Sequence, residues 1–254
     1  MSGTIRTKGG RGRLGSVLSG LAVAVGCVLF LGGFVWGAVL YRPFTVPTDS
    51  MTPTLDVNSR VLAERIDGAE VKRGDVVVFN DPLWSSSPMV KRVVAVGGDT
   101  VACCDAQGRL TVNGRAVDEP YLRPGMGGLT IASGQEFSVT VPEDSLFLLG
   151  DDRHTSLDSR THLEEAGHGS VPRSTVVARV DAVVWPAKGL LDRPTGFAGL
   201  PGGVSRPGPF TTLLTVIVAG GTLVFVGAAY GPVARLLNRR PGARRTGARE
   251  GAGV

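Results

Sequence analysis

Pro47-Thr48-Asp49-Ser50-Met51-Thr52-Pro53-Thr54-Leu55 surrounds one Ser-Met pair with three threonines and two prolines, just beyond a long apolar run. Pro47 and Pro53 restrict φ and disfavour a continuous helix, so Ser50 is expected on a stiff, extended or turning segment. A serine held in this way is a candidate nucleophile, but only if a base lies near enough to activate it. Without that base, the same residues make a polar Ser/Thr/Pro loop leaving an apolar helix. The choice between the two depends on what the rest of the chain can bring to Ser50.

No charged residue interrupts Leu14 to Tyr41. A run of that length crosses a bilayer core of about 30 Å at about 1.5 Å per residue. The apolar core of a cleavable signal peptide is about half as long, so residues 14–41 are expected to be an uncleaved transmembrane helix with Trp36, Tyr41 and Arg42 at its interface. A second uncharged run, residues 210–234, also has spanning length, its rival reading being a buried core helix. The Gly/Pro-rich stretch 191–209 before it reads as a linker. The chain thus divides into a basic tail (1–13), a span (14–41), a region 42–190, the linker (191–209), a second span (210–234) and a second basic tail (235–254). Basic residues beside both spans predict a multi-pass membrane protein with both tails cytoplasmic and residues 42–190 outside.

The net charge of +5 sits in those tails. Arg6, Lys8, Arg11 and Arg13 contribute +4. The six arginines from Arg235 to Arg249, offset by Glu250, contribute +5, and against the total of +5 this leaves −4 for everything between. A nucleic-acid binder needs a basic folded surface, so that class is excluded. The tails read as topology signals or contacts with anionic lipid headgroups. Three cysteines make no disulfide framework. Cys27 falls inside the first span, and the faintly lipoprotein-like Ala24-Val25-Gly26-Cys27 is followed by more apolar sequence. Cys103 and Cys104 are adjacent, and two thiols, a vicinal disulfide and links to other chains all remain open.

Between the spans, short Val-rich runs alternate with Gly, Pro, Asp and Asn. Strands are expected at 60–66, 75–79, 90–96, 100–103, 109–112, 137–141, 146–149 and 176–185, with turn signals at Gly97-Gly98-Asp99 and Asn113-Gly114. No long stretch carries a helical period, so residues 42–190 are expected to form a mostly-β domain large enough to bury a core.

Two regions offer a base for Ser50. His154, His162 and His168 lie together in a charged, loop-like region, where a Ser-His-Asp arrangement with His154 and Asp158 is conceivable. Gly-x-Ser-x-Gly and Ser-x-x-Lys spacings are absent. The other candidate is Lys91, in Pro88-Met89-Val90-Lys91-Arg92-Val93-Val94-Ala95-Val96. Alternation puts Met89, Lys91, Val93 and Ala95 on one face and Val90, Arg92, Val94 and Val96 on the other. A core-facing lysine is desolvated, which disfavours the ammonium and lowers its pKa into the range of a base. A surface lysine would instead snorkel beside Arg92. A third stretch, Leu149-Gly150-Asp151-Asp152-Arg153-His154-Thr155-Ser156-Leu157-Asp158-Ser159-Arg160, reads either as a solvated loop or as a brace. In the brace, Asp158 pairs with Arg160 or Arg153 and the Ser156 hydroxyl orients a lysine amine.

Taken together, Pro47 to Leu55, Gly74-Asp75-Val76-Val77-Val78-Phe79, Val90-Lys91-Arg92-Val93 with Gly98-Asp99, and Gly150-Asp151-Asp152-Arg153 through Ser156-x-Asp158-Ser159-Arg160 resemble the ordered boxes of bacterial type I signal peptidases. The resemblance covers roughly residues 40 to 185, and the C-terminal span is similar to that of some high-G+C Gram-positive members. It implies a signal-peptidase-like antiparallel β catalytic domain flanked by two transmembrane helices. It also implies a serine endopeptidase that removes signal peptides from exported preproteins after small residues, through a Ser/Lys dyad and an acyl-enzyme.

By the same resemblance Ser50 is the nucleophile, Lys91 the general base and Ser156 the hydroxyl that positions the lysine. Thr48, where the family usually has serine, would bind the oxyanion with the Ser50 N–H. Asp151, Arg153, Asp158 and Arg160 would brace the site. Asp49 replaces a common glycine, and Asp152 a usual asparagine. No metal or other cofactor is implied; the partners are preproteins at the bilayer, and the protein is expected to act as a monomer. A self-cleaving Ser/Lys protease of the SOS-repressor type and an inactive anchored β scaffold are the alternatives.

Overall fold

A computed structural model describes residues 10–124 and 130–237. The expected basic tails therefore lie largely outside the described residues. The chain forms two units, a helical one from its two ends and a β unit, Gly37–Thr211.

In the helical unit, α1 (Gly10–Leu40) and α2 (Phe210–Leu237) are both long and apolar enough to cross a membrane. A core helix of a soluble protein would bury most of its apolar length, whereas the most apolar windows of these two bury only 11% and 17%. The helices meet where side chains are smallest. A Cβ on Gly26 would come within 2.7 Å of the Gly220 carbonyl oxygen, and Ser19 Oγ donates to the Gly227 carbonyl at 2.7 Å. Small residues at such crossings let two backbones approach closely.

The β unit contains two antiparallel sheets. The larger is built from β1 (Tyr41–Thr45), β2 (Arg60–Glu64), β3 (Val76–Phe79), β4 (Met89–Val96), β9 (Ser145–Leu149), β10 (Ser170–Pro172), β11 (Val176–Trp185) and β12 (Gly189–Leu190). Its order is β1-β2-β11-β3-β4-β9-β10, with β12 on β11. The smaller sheet orders β7 (Arg115–Ala116), β6 (Leu110–Val112), β5 (Thr100–Cys103) and β8 (Phe137–Thr140) as β7-β6-β5-β8. Asn113 and Gly114 turn β6 into β7 with positive φ at both residues, as a tight hairpin demands. The sequence pattern locates the long strands; the short β1, β7, β10 and β12 carry too few residues to show a period.

β4 lies between β3 and β9 and is buried on both faces, as its nearly continuous apolar run dictates. Alternation holds as far as Val93, which packs with Val77, Phe79, Leu146 and Leu148, while Val90 packs with Val76 and Val78. A register shift against β9 between Val93 and Ala95 then breaks it, and Val94 and Ala95 join one cluster between the sheets with Val101, Leu110, Phe137 and Phe147.

Residues 191–209, expected as a linker, lie on the β unit. Phe197 is fully buried in the inter-sheet core with Leu200, and the Pro201 carbonyl accepts from Arg73 at 2.5 Å. Glycine and proline content signals irregular backbone, but two large apolar side chains are enough to dock it. Cys103 and Cys104 are joined to each other, and Cys27 is an exposed free thiol on α1.

Candidate active site

The segment Pro47 to Leu55 forms a turn. Leu55 N–H donates to the Met51 carbonyl at 2.9 Å and Thr52 N–H to the Asp49 carbonyl at 2.8 Å. Met51 and Leu55, spaced to share one face of that turn, are fully buried against Val61, Val76, Val90 and Val180. Apolar anchoring thus fixes the depth of Ser50, which is itself only 9% exposed. Its Oγ lies 3.2 Å from Thr48 Oγ1, and its carbonyl accepts from Asp152 N–H at 3.0 Å.

Lys91 faces the same cleft. A cavity of about 260 Å³ is lined by Val46, Ser50 and Met51 from the turn and by Pro88, Met89 and Lys91 from β4 and the loop before it. Lys91 is 3% exposed, and no ion pair among the described residues involves it. Burial pushes its pKa from the ordinary 10.5 down to about 8, against the pull of Asp158 and Asp151. Arg160 acts in the same direction as burial, and Asp49 opposes it. The charge introduced at Asp49 therefore favours the ammonium.

The acidic stretch after β9 closes the site from behind. Asp158 takes Arg160 at both oxygens, 2.9 and 2.8 Å, and accepts from Gly150 N–H at 2.9 Å. Burial would raise its pKa, but the Arg160 guanidinium and the Gly150 N–H outweigh it and hold the carboxylate below its usual range. Arg160 also donates to the Arg153 carbonyl at 2.8 Å. Arg153 pairs with Glu119 at 2.5 Å rather than with Asp158, and donates to the Gly150 and Ala132 carbonyls. Asp151 takes Arg92 at both oxygens, 2.8 and 2.7 Å. Asp152 uses Oδ1 as an acceptor for the N–H groups of His154 and Thr155, at 3.2 and 3.3 Å, a role an asparagine fills equally well.

Ser156 is buried, and its Oγ makes no hydrogen bond of good geometry among the described residues, though it lies close enough to Asp158 to help hold that carboxylate low. It packs on Gly150, where an added Cβ would strike Ser156 Oγ and come 2.5 Å from the Ser50 carbonyl oxygen. Gly150→Ala is expected to displace one of these two serines. On the peptidase reading that the sequence resemblance implies, a preprotein cleavage assay should show kcat reduced by about 100-fold, since misplacing a reacting group by about 1 Å is costly. Unchanged kcat would mean that the loop relaxes away from Ser50.

The histidines are used elsewhere. His154 is exposed, His162 pairs with Glu165 and stacks on Trp84, and His168 Nδ1 lies 3.3 Å from the Leu163 carbonyl. With Asp158 engaged by Arg160, a Ser-His-Asp array with His154 does not form. Sequence reading did not identify Thr54, Glu119 or Tyr121, which complete the network behind the turn. Thr54 Oγ1 donates to Asp151 at 2.5 Å, and the Arg92 guanidinium carbon lies 3.9 Å from the Tyr121 ring centroid. Tyr121 in turn donates to Glu119 at 2.5 Å. Glu119-Pro120-Tyr121 carries no periodic or turn signal that would have assigned it to the site. A larger cavity, about 860 Å³, lies against Thr54, Arg92 and Tyr121 and includes neither Ser50 nor Lys91. Among the described residues no group of three or more His, Cys, Asp or Glu is placed to hold a metal ion.

On this antiparallel β unit a buried lysine, without an ion pair among the described residues, lines the same cleft as a nearly buried serine. A family profile described as signal peptidase, peptidase S26, matches residues 17–185. The chain belongs to that family, and is thereby a serine peptidase.

Its relatives include the probable signal peptidase I of Mycobacterium leprae, 33% identical over 199 residues, which cover 57% of this chain and 68% of that one. Signal peptidase I of Mycobacterium tuberculosis is 33% identical over 192 residues, covering 57% and 65%. Signal peptidase I S of Bacillus subtilis is 35% identical over 150 residues, covering 56% and 76%. The chain thus spans about two thirds of the length of the mycobacterial relatives. A crystal structure of a signal peptidase I from Enterococcus faecalis is 26% identical, covering 48% of this chain and 96% of that one, with a TM-score of 0.35.

Proposed function

We propose that this protein removes signal peptides from exported preproteins at the outer face of the membrane, with Ser50 as nucleophile and Lys91 as general base. The observation that carries this reading is the lysine: buried, free of any ion pair among the described residues and lowered to about 8, it lines the cleft that Ser50 lines. Neutral Lys91 accepts the Ser50 proton as Oγ attacks the scissile carbonyl, and the ammonium returns a proton to the leaving amine. An acyl-enzyme forms, and water then hydrolyses it. The Thr48 hydroxyl and the Ser50 N–H stabilise the oxyanion. Ser156 Oγ, beside the Asp158 carboxylate, positions the amine, and the Asp151, Arg153, Asp158 and Arg160 contacts hold its surroundings. A cleft of this size lined by Val46, Met51 and Met89 suits the small side chains found before signal-peptide cleavage sites.

The two apolar helices would anchor the protein with both tails cytoplasmic and the β unit outside. Substrate and enzyme would then meet on one surface at raised effective concentration, with a monomer sufficient.

The test is the pH profile of cleavage of a preprotein carrying an Ala-x-Ala site. Only the neutral amine can accept the proton, so kcat/KM is expected to rise with pH through about 8. Asp49→Gly removes a carboxylate that favours the ammonium, and should move that midpoint downward. A midpoint near the ordinary histidine value, with activity lost in His154→Ala, would assign the base to histidine instead. A folded wild-type protein that cleaves no preprotein would favour a scaffold.

A further inference from the structure

The Arg92–Asp151 pair is bidentate, and its side chains are 2% and 0% exposed. A pair of this kind needs no contact with the nucleophile turn in order to stabilise a strand and a loop. Here it has one. Thr54, on the turn that carries Ser50, donates its hydroxyl to Asp151 Oδ2 at 2.5 Å, and the same hydroxyl oxygen accepts from Arg92 Nη2 at 3.4 Å. Arg92 follows Lys91 in β4. Asp151 precedes Asp152, whose N–H holds the Ser50 carbonyl at 3.0 Å. One hydroxyl therefore joins the segment bearing the nucleophile, the strand bearing the base and the loop that grips the nucleophile's backbone.

Two other directional bonds reach the turn, from Asp152 N–H to the Ser50 carbonyl and from Lys188 to the Pro53 carbonyl, but neither comes from the Lys91 strand, and the remaining anchors supply no directional link to it. Met51 and Leu55 are held by apolar contact, which fixes depth but has no direction. The Thr52 hydroxyl reaches only the Leu55 carbonyl, within the turn itself, at 3.5 Å. A hydrogen bond to a charged, immobile acceptor is directional and is about twice as strong as a neutral one. We infer that Thr54 is a positioning residue whose hydroxyl sets the register of the Ser50 turn against the Lys91 strand. The inference rests on the peptidase reading above, and it adds to that reading a residue that touches neither substrate nor dyad.

Two variants of the full chain in detergent test it. Thr54→Val keeps the branched shape and removes the hydroxyl, whereas Thr54→Ser keeps the hydroxyl and removes the methyl. With a preprotein substrate, Thr54→Val is expected to lower kcat by about 10- to 100-fold while KM stays within about twofold, the signature of misplaced reacting groups. Thr54→Ser is expected to restore kcat to within about threefold of wild type. Thr54→Val with kcat within about twofold of wild type overturns the inference. So does a loss of kcat that accompanies a lowered melting temperature and is not rescued by Thr54→Ser, because that pattern belongs to a purely structural role. Cleavage by wild type with an unimpaired Thr54→Val overturns this inference alone, whereas a folded wild type without cleavage overturns the peptidase reading and this inference with it.

Discussion

Lys91→Met is expected to abolish preprotein cleavage and, at pH 7, to leave the protein more stable than wild type. Loss of the base should cost on the order of 10⁴-fold or more in kcat, as should Ser50→Ala, since members of a catalytic unit fail together. The stability gain follows from linkage. The folded-state pKa, about 8, lies below the ordinary 10.5, so at pH 7 the lysine is an ammonium in both states and only the folded state bears the burial penalty. Two and a half units at about 1.36 kcal/mol each put that penalty at about 3 kcal/mol. It is fully present below about pH 8, fades as pH rises, and is gone above about 10.5, so the advantage of methionine over lysine should narrow across that window. Denaturant titrations at pH 7 and pH 10.5 measure both ends. A variant less stable than wild type at pH 7 would show that Lys91 is held by contacts it contributes to the fold. A stabilising substitution that removes activity is what a site maintained against folding stability looks like.

Asp151→Ala should have the largest effect on stability. It leaves the Arg92 guanidinium buried beside the Tyr121 ring, with only the Gly74 carbonyl at 2.8 Å as an acceptor of normal length. Stranding one charge of a buried pair costs about 3–5 kcal/mol, because the desolvation penalty remains after the attraction is lost. Removing both charges removes the stranded ion, so Arg92→Met combined with Asp151→Ala is expected to recover a substantial part of that loss. Urea unfolding of the two singles and the double measures the coupling directly. Additive losses would mean that the pair is not the unit the geometry describes. Arg92 lies next to Lys91, so the same series read as activity reports how far the base depends on the pair.

Much of this was legible in the sequence, for identifiable reasons. Ser50 stood out because prolines flank it just past an apolar helix, and Lys91 because it interrupts a run apolar on both strand faces. The order of four boxes turned three ambiguous stretches into a resemblance to one family. Other features were not legible. The brace left Asp158 a choice of Arg160 or Arg153, and the structure pairs it with Arg160 because Glu119, from a distant loop, takes Arg153. Thr54 looked like one more polar residue of the turn until Asp151 was found against it. The stretch 191–209 has the composition of a free linker, yet Phe197 lies in the inter-sheet core.

The sequence by itself determined the two apolar spans, the β character of what lies between them, the turn at Ser50 and the strand at Lys91, since hydrophobic period, charge-free length and turn chemistry are local properties of a chain. Only the tertiary structure decided that Lys91 is buried without an ion pair among the described residues, that Arg92 and not Lys91 takes Asp151, and that Thr54 ties the Ser50 turn to that pair. Desolvation and Coulomb attraction depend on distance through space. Thr54, Arg92 and Asp151 are brought together by strand order and register, which no local pattern encodes.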